Sequence, residues 1–332
     1  MQWESVLAWR VQRQHLARRA TDALTIASDL CGLHAQVMTS AQLTLWARMD
    51  DPPDVEDLLW RQGKLVKTWT LRGTLHLIPK HELALYTGAQ AALKPRYEQK
   101  AWLKHFKLTP EDVGTILEGV PAALASGPLS REELAERVHP GLKRGYGDLL
   151  KPLAFRGELI YADPKRFTVP EPFEPLPTEE ATKEIARRFL TRYGPGTREQ
   201  LAKWFGSPSP AVCGRWLKAL GDEVAETEFG YALADDVEAM EQAAPSGVVN
   251  LLPAFDQYVV AAPRDVPYAE RIYRPGGWFS PVLLVDGVMA GTWALEDGVV
   301  QIEPFEPVGQ EVREAAETEA ARLGGASGVR WV

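Results

Sequence analysis

The feature that most constrains this chain is a unit that occurs twice in the same order. Ser130-Arg131-Glu132-Glu133-Leu134-Ala135 matches Thr197-Arg198-Glu199-Gln200-Leu201-Ala202. Both read as S/T-x-x-E/Q capping boxes, in which a hydroxyl and a longer polar side chain satisfy each other's backbone N–H at a helix start. Each box follows a helical stretch (about 111–126 and 178–193) and precedes an apolar helix (148–155 and 211–220). A hairpin then closes each unit, with strands 159–162 and 166–169 around Asp163-Pro164-Lys165, and 223–227 and 231–233 around Phe229-Gly230. Helices followed by a hairpin in this order is a winged-helix pattern.

The first hundred residues carry a looser version of it. Val6, Leu7, Val11, Leu16 and Ala17 repeat at near-helical spacing, Thr21 is placed to cap a second helix ending near Leu30, and Gly32 to stop it. A third helix restarts at Thr39 or Ser40 and runs to Arg48. Asp50-Asp51-Pro52-Pro53-Asp54 breaks it, Asp54 caps 55–61, and 65–78 reads as two β segments meeting at Arg72-Gly73. Beyond residue 247 the character changes. Strands at 281–285, 288–295 and 299–305 are joined by Asp286-Gly287 and Asp297-Gly298, dipeptides suited to two-residue hairpin turns. An acidic helix at 311–323 and a short strand at 329–332 end the chain. Pro170 to Pro175 and Ala243 to Gly247 read as linkers. The expected fold is α+β: three tandem winged-helix modules over 1–107, 108–175 and 176–245, then a C-terminal antiparallel β domain with one helix over 246–332.

Composition narrows the function class. At 332 residues, 45% hydrophobic and 25% charged, the chain is ordinary globular material. It has no apolar run near the roughly 18 residues of a membrane span, and the first 19 residues lack the apolar block of a secretory signal. A soluble cytosolic protein is expected; on a DNA-binding reading it would be a cytoplasmic monomer, nucleoid-associated when bound to DNA. Cys31 and Cys213 are isolated and the six His contain no H-x-x-x-H pair, so neither a metal nor another cofactor is expected. The net charge of −8 is unevenly spread: residues 1–200 carry 28 Lys and Arg against 25 Asp and Glu, and 201–332 carry 9 against 20. Within 60–107 ten basic residues (Arg61, Lys64, Lys67, Arg72, Lys80, Lys94, Arg96, Lys100, Lys104, Lys107) face only Glu82 and Glu98. Because phosphate attraction is felt over about a Debye length, roughly 8–10 Å, this local excess bears on DNA binding more than the whole-chain charge does. A solvated basic helix face is the competing explanation.

Leu30-Cys31-Gly32-Leu33-His34-Ala35-Gln36 sets two neutral polar side chains two residues apart at a helix end, where a pair can hold a water. They could equally cap backbone groups. Downstream, Lys67-Thr68-Trp69-Thr70-Leu71-Arg72-Gly73-Thr74-Leu75-His76 forms a basic hairpin. Together with Leu251-Leu252-Pro253-Ala254-Phe255-Asp256 and Trp278-Phe279-Ser280-Pro281-Val282, these segments resemble the AlkZ/YcaQ-like family of bacterial winged-helix DNA glycosylases. In that family the corner tripeptide is catalytic, as Gln-x-Gln or Gln-x-Asp. Here Gln36 matches the second Gln, while His34 departs from both patterns at the first position.

The resemblance implies a monofunctional glycosylase that hydrolyses the N-glycosidic bond of N7-alkylated purines, bulky or crosslinked ones included, in double-stranded DNA, leaving an abasic site. N7 alkylation makes the base cationic and a good leaving group, so the enzyme must mainly place a water on the sugar. General-base help adds typically about 10²–10⁴-fold, and imidazole can hydrogen-bond a water as an amide oxygen does. His34 and Gln36 are the expected catalytic pair. Lys67, Trp69, Thr70, Arg72 and Thr74 are assigned to DNA contact, with Lys143 and Arg144 flanking a turn in the second module; packing of Trp69 in the module core is the alternative. His76 is read as satisfied inside the module. Asp256 and Tyr258 are candidate site-lining residues, although Asp256 could cap a turn. A non-catalytic winged-helix DNA binder or transcription regulator is the alternative reading, and an interaction scaffold a third that leaves the basic region unexplained.

Overall fold

The computed structural model describes residues 1–207, 209–262, 268–324 and 326–332. The chain divides into two compact units, one comprising Met1–Val55 and Ala186–Val332, the other Glu56–Ile185. The result is a mixed α/β fold with a C-terminal, mainly antiparallel sheet.

That sheet has five strands, ordered Gly328–Trp331, Val299–Pro304, Val288–Glu296, Val282–Val285, Val249–Leu252. Both connecting turns take the left-handed conformation that Asp-Gly tolerates, with φ of 46° and 84° at Asp286 and Gly287 and 50° and 78° at Asp297 and Gly298. The meander is therefore as expected, with two corrections. The final strand runs parallel to Val299–Pro304, pairing Val299 with Gly328 and Ile302 with Trp331. It can do so because helix Gln310–Ala321 intervenes, and parallel neighbours need such a crossover. Val249–Leu252 is a strand that period-2 reasoning misses: all four residues are buried, so no alternation marks it. Leu251, Leu252, Val282, Leu283, Leu284 and Ile302 form the core with Ala316 and Ala320 of the crossover helix.

The same unit holds helices Trp3–Arg13, Ala23–Asp29 and Met38–Trp46. Asp22, not Thr21, caps the second of these, its carboxylate accepting from Thr25 N at 2.8 Å. The third starts at Met38, just ahead of Thr39, without a side-chain cap. Gly32 stops the second helix as anticipated: with φ of 104° its N–H reaches back to Ala27 O at 2.7 Å.

In the other unit, strands Leu65–Trp69 and Leu75–Pro79 form the hairpin, with Thr68 opposite His76 and Trp69 opposite Leu75. Its tip passes through left-handed backbone at Arg72 (φ 57°) and Gly73 (φ 66°). Helices Leu83–Gln90, Lys100–Phe106, Pro110–Leu124, Arg131–Arg137 and Lys151–Phe155 and strands Leu129–Ser130, Ile160–Tyr161 and Arg166–Thr168 belong to the same unit. The last of these strands pairs with both of the others.

Both capping boxes are made. Ser130 N donates to Glu133 Oε2 at 2.8 Å while Glu133 N donates to Ser130 Oγ at 3.2 Å. Thr197 and Gln200 repeat the exchange at 2.8 and 3.2 Å. A third box joins Thr109 and Asp112. Replacing Ser130 or Thr197 with Ala should cost about 0.5–2 kcal/mol each, read as a lower urea midpoint with unchanged slope; a midpoint equal to that of the parent would mean the boxes carry no stability.

Candidate functional site

The His34 corner is built by a helix stop and a turn. After helix Ala23–Asp29, Cys31 (φ 59°) and Gly32 reverse the chain and present Leu33–His34 as a short extended segment. His34 is 4% exposed, whereas Gln36, two residues on, is exposed. The imidazole lies flat against the Phe255 ring, with centroids 4.6 Å apart and planes 4° from parallel. Stacking occupies a ring face; hydrogen bonds to imidazole nitrogens lie in the ring plane, so a clamped ring keeps fixed bonding directions.

Phe255 is held in turn by its neighbours. It occupies left-handed backbone (φ 62°) in a turn closed by Asp256 N donating to Pro253 O at 3.2 Å. A Phe there is strained by about 1–2 kcal/mol relative to ordinary backbone. The constraint that holds it is ionic: Arg48 Nη1 and Nη2 donate to the two oxygens of Asp256 at 2.7 and 2.9 Å, with both side chains fully buried. Asp256 Oδ1 also accepts from Tyr258 N at 2.9 Å, and Gln257 Nε2 donates to Gly32 O at 3.1 Å, beside His34. Asp256 is thus the anchor of the turn, with the capping role that was its alternative reading. Tyr258 is buried and its hydroxyl, pushed to a higher pKa by burial, donates to Gly287 O at 2.8 Å.

Sequence reasoning missed two aromatic members of this cluster. The Trp278 ring meets Phe255 edge-on at 4.8 Å and Phe279 packs on Phe255 at 5.6 Å. Trp278 comes from a tight hairpin, Tyr273–Arg274 paired with Trp278–Phe279, and stays 46% exposed. An exposed indole of this kind offers a stacking face for a base. Both segments were visible as motifs; only folding brings them together.

Several hairpin residues assigned to DNA contact lie inside the fold. Lys67, Trp69 and Thr70 are all buried, because both faces of Leu65–Trp69 are covered. Trp69 packs against Tyr161 and Phe167, and Lys67 Nζ lies 5.3 Å from the Tyr161 ring centre, its pKa lowered by burial. Arg72 and Thr74 remain half-exposed at the tip. His76 is fully buried, with Nδ1 3.0 Å from Thr74 O and Nε2 3.3 Å from Arg72 Nη2. A carbonyl can only accept and a guanidinium only donate, so Nδ1 carries the proton and Nε2 accepts from Arg72, steadying that side chain.

Lys143 and Arg144 are both exposed. Arg144 Nη1 donates to Phe106 O at 2.8 Å, and Arg144 with Lys107, His105 and Gly145 lines a cleft of about 230 Å³. Lys107 was counted in the basic run, but nothing in the sequence joined it or His105 to Arg144, nearly forty residues away. Among the described residues no three His, Cys, Asp or Glu side chains converge so as to hold a metal ion, and no helix is long and apolar enough to cross a membrane. Cys31 and Cys213 are buried thiols, with burial raising Cys213 to about 11.

Comparison with known proteins places this geometry. Residues 27–326 match the family model of AlkZ-like DNA glycosylases. The chain belongs to the AlkZ-like DNA glycosylase family. It is 32% identical to an interstrand DNA cross-link repair glycosylase of Streptomyces sahachiroi, across 98% of this chain and 97% of that one. The solved structure of the S. sahachiroi DNA glycosylase AlkZ superposes with a TM-score of 0.91 at 30% identity, covering 100% of both chains. The AlkZ-like family identity makes the chain an enzyme, a DNA glycosylase, and sets aside the non-catalytic readings.

Within this AlkZ-like fold, removing one member of the buried pair leaves the other charged and unpartnered. Asp256→Ala should therefore destabilise by about 3–5 kcal/mol. Chemical unfolding followed by tryptophan fluorescence measures it, and a loss below 1 kcal/mol would show that the turn is held by other contacts.

Proposed function

We propose that this enzyme hydrolyses the N-glycosidic bond of N7-alkylated purines in double-stranded DNA, including bulky or crosslinked adducts, and leaves an abasic site. The observation that carries the reading is the His34 ring clamped flat on Phe255, with Gln36 exposed two residues on, at the corner where the family's catalytic tripeptide falls. The S. sahachiroi relative's description as a cross-link repair enzyme supports the bulky end of the substrate range.

In this reading the cationic base departs as C1′ gains oxocarbenium character, and a water attacks the sugar. Gln36 orients that water. His34, neutral and held in plane, hydrogen-bonds it and accepts its proton, so excision should accelerate as pH rises through imidazole deprotonation and then level off. Positioning supplies most of the barrier reduction because the leaving group is already activated.

Arg72 and Thr74 at the hairpin tip, and Lys143 and Arg144 beside Lys107, contact the phosphate backbone, giving affinity rather than sequence choice. Lys67, Trp69 and Thr70 act from behind, holding the hairpin in shape. The architecture that carries these contacts is three tandem winged-helix modules over 1–107, 108–175 and 176–245, with the C-terminal β domain supplying Phe255 and Trp278; the repeated capping boxes support this division. The acting species is a monomer on duplex DNA.

Duplex DNA containing a single N7-methylguanine, treated with enzyme and then mild alkali, should break at that base well above spontaneous depurination. His34→Ala and Gln36→Ala should lose this activity while binding duplex almost unchanged; normal cutting by both would make the corner structural. Arg72→Ala should instead weaken binding and reduce the slope of log affinity against log salt by about one unit. An unaltered slope in fluorescence anisotropy titrations would remove Arg72 from the interface.

A further inference from the structure

A second site lies away from the His34 corner. Helix Trp3–Arg13, strand Val288–Glu296 and the stretch 305–308 enclose a cavity of about 490 Å³, within the size range of small-molecule sites. None of its lining residues belongs to the His34, Phe255 and Trp278 cluster. Trp3, Leu7, Tyr258, Met289, Phe305 and Pro307 make its walls apolar and largely aromatic.

Two polar side chains on one face of the N-terminal helix, four residues apart, break that apolar lining. Arg10 is 8% exposed; its Nε donates to Gly194 O at 3.0 Å and its Nη2 to Pro195 O at 2.9 Å, and its guanidinium lies over the Trp3 ring at 5.0 Å. Among the described residues it has no carboxylate partner and Nη1 makes no hydrogen bond. Burial lowers its pKa to about 10, so it stays protonated at neutral pH and remains a donor. Gln14 is 1% exposed. Its Nε2 donates to Arg192 O at 3.0 Å, which fixes the amide orientation, because a carbonyl can only accept. Its Oε1 is consequently turned the other way and has no partner, and a buried acceptor in that state carries an uncompensated desolvation cost.

Arg10 and Gln14 both line the apolar chamber, and a donor with an unfilled acceptor four residues on gives the ligand's polar edge: one carbonyl oxygen with an N–H next to it. The charge of the walls defines the rest. Among the described lining residues, the exposed Glu4 and Glu306 at the rim outnumber the one buried cation, so an anion is disfavoured. We propose that this cavity binds a neutral aromatic lactam, its carbonyl accepting from Arg10 and its ring N–H donating to Gln14 Oε1. The aromatic body would fill the space between Trp3, Met289 and Phe305.

The test uses the full chain without DNA and three compounds of similar size. 2-Quinolinone carries the carbonyl and adjacent N–H, quinoline carries an acceptor alone, and 1-naphthoate is anionic. In calorimetric titration 2-quinolinone should bind one to one and about tenfold more tightly than either of the others, the margin one paired polar group gives. Gln14→Leu should bring it down to the affinity of quinoline. Met289→Trp, which fills the chamber from the opposite wall without touching the polar pair, should weaken all three and keeps the test decisive where Gln14→Leu is unstable. No saturable heat with 2-quinolinone, equal binding of quinoline, tighter binding of 1-naphthoate, or unchanged affinity in Met289→Trp would each overturn the proposal.

Discussion

The buried Arg48–Asp256 pair is the constraint on which the His34 corner depends. Removing two charges from water costs several kcal/mol per ion, and such pairs persist where every remaining donor and acceptor is met. Here four of the five Arg48 N–H groups and both Asp256 oxygens are engaged. Beyond the two-pronged contact with Asp256, Arg48 Nε donates to Gln14 O at 2.9 Å and Nη1 to Thr44 O at 3.2 Å. Asp256 in turn fixes the turn in which Phe255 and Gln257 flank it. One neighbour stacks on His34 and the other bonds Gly32. A buried charge pair one residue from Phe255 thereby supports the plane in which the imidazole is held.

Much of the scaffold was legible in the sequence because it is locally encoded. The capping boxes at Ser130 and Thr197, the Asp-Gly turns, and helix Thr178–Tyr193 all follow from residues within a few positions of one another. What escaped was set by burial on two sides or by long-range contact. Val249–Leu252 lacks alternation because the sheet and its covering helix hide both faces. Lys67 and Thr70 look like surface residues by type, yet the strand that carries Lys67 is enclosed and Thr70, just past its end, is buried too, so residue type does not identify a solvent face. Within the site, His34 and Gln36 could be named from the corner motif, but Phe255 and Trp278 lie more than 200 residues away in sequence, and no local pattern reports that they converge.

Charge behaves similarly. The excess between residues 60 and 107 survives folding as an exposed set, since Lys64, Lys94, Arg96, Lys100, Lys104 and Lys107 all reach solvent. Others are engaged: Arg61 pairs with Asp57, and Lys80 with Glu171 at 2.8 Å. Exposed pairs of this kind are weak, so exchanging a carboxylate for a phosphate costs the fold little. Arg72 differs from these: left-handed backbone places it at the hairpin tip, half-exposed, and its guanidinium is tied to the buried His76 acceptor.

The choice of histidine at position 34 makes physical sense with that support. An imidazole presents a flat aromatic face, so it gains from parallel contact with Phe255 in a way that a smaller amide would do only in part. The stack holds the in-plane bonding directions of the ring nitrogens fixed, which on the proposed reading is what keeps one of them toward the attacking water. On the proposed reading, with a leaving group already made cationic by alkylation, holding a water in the right place would matter more than the strength of the base. A clamped ring satisfies that need at low entropic cost, because the ordering is completed on folding and does not have to be repeated when substrate binds.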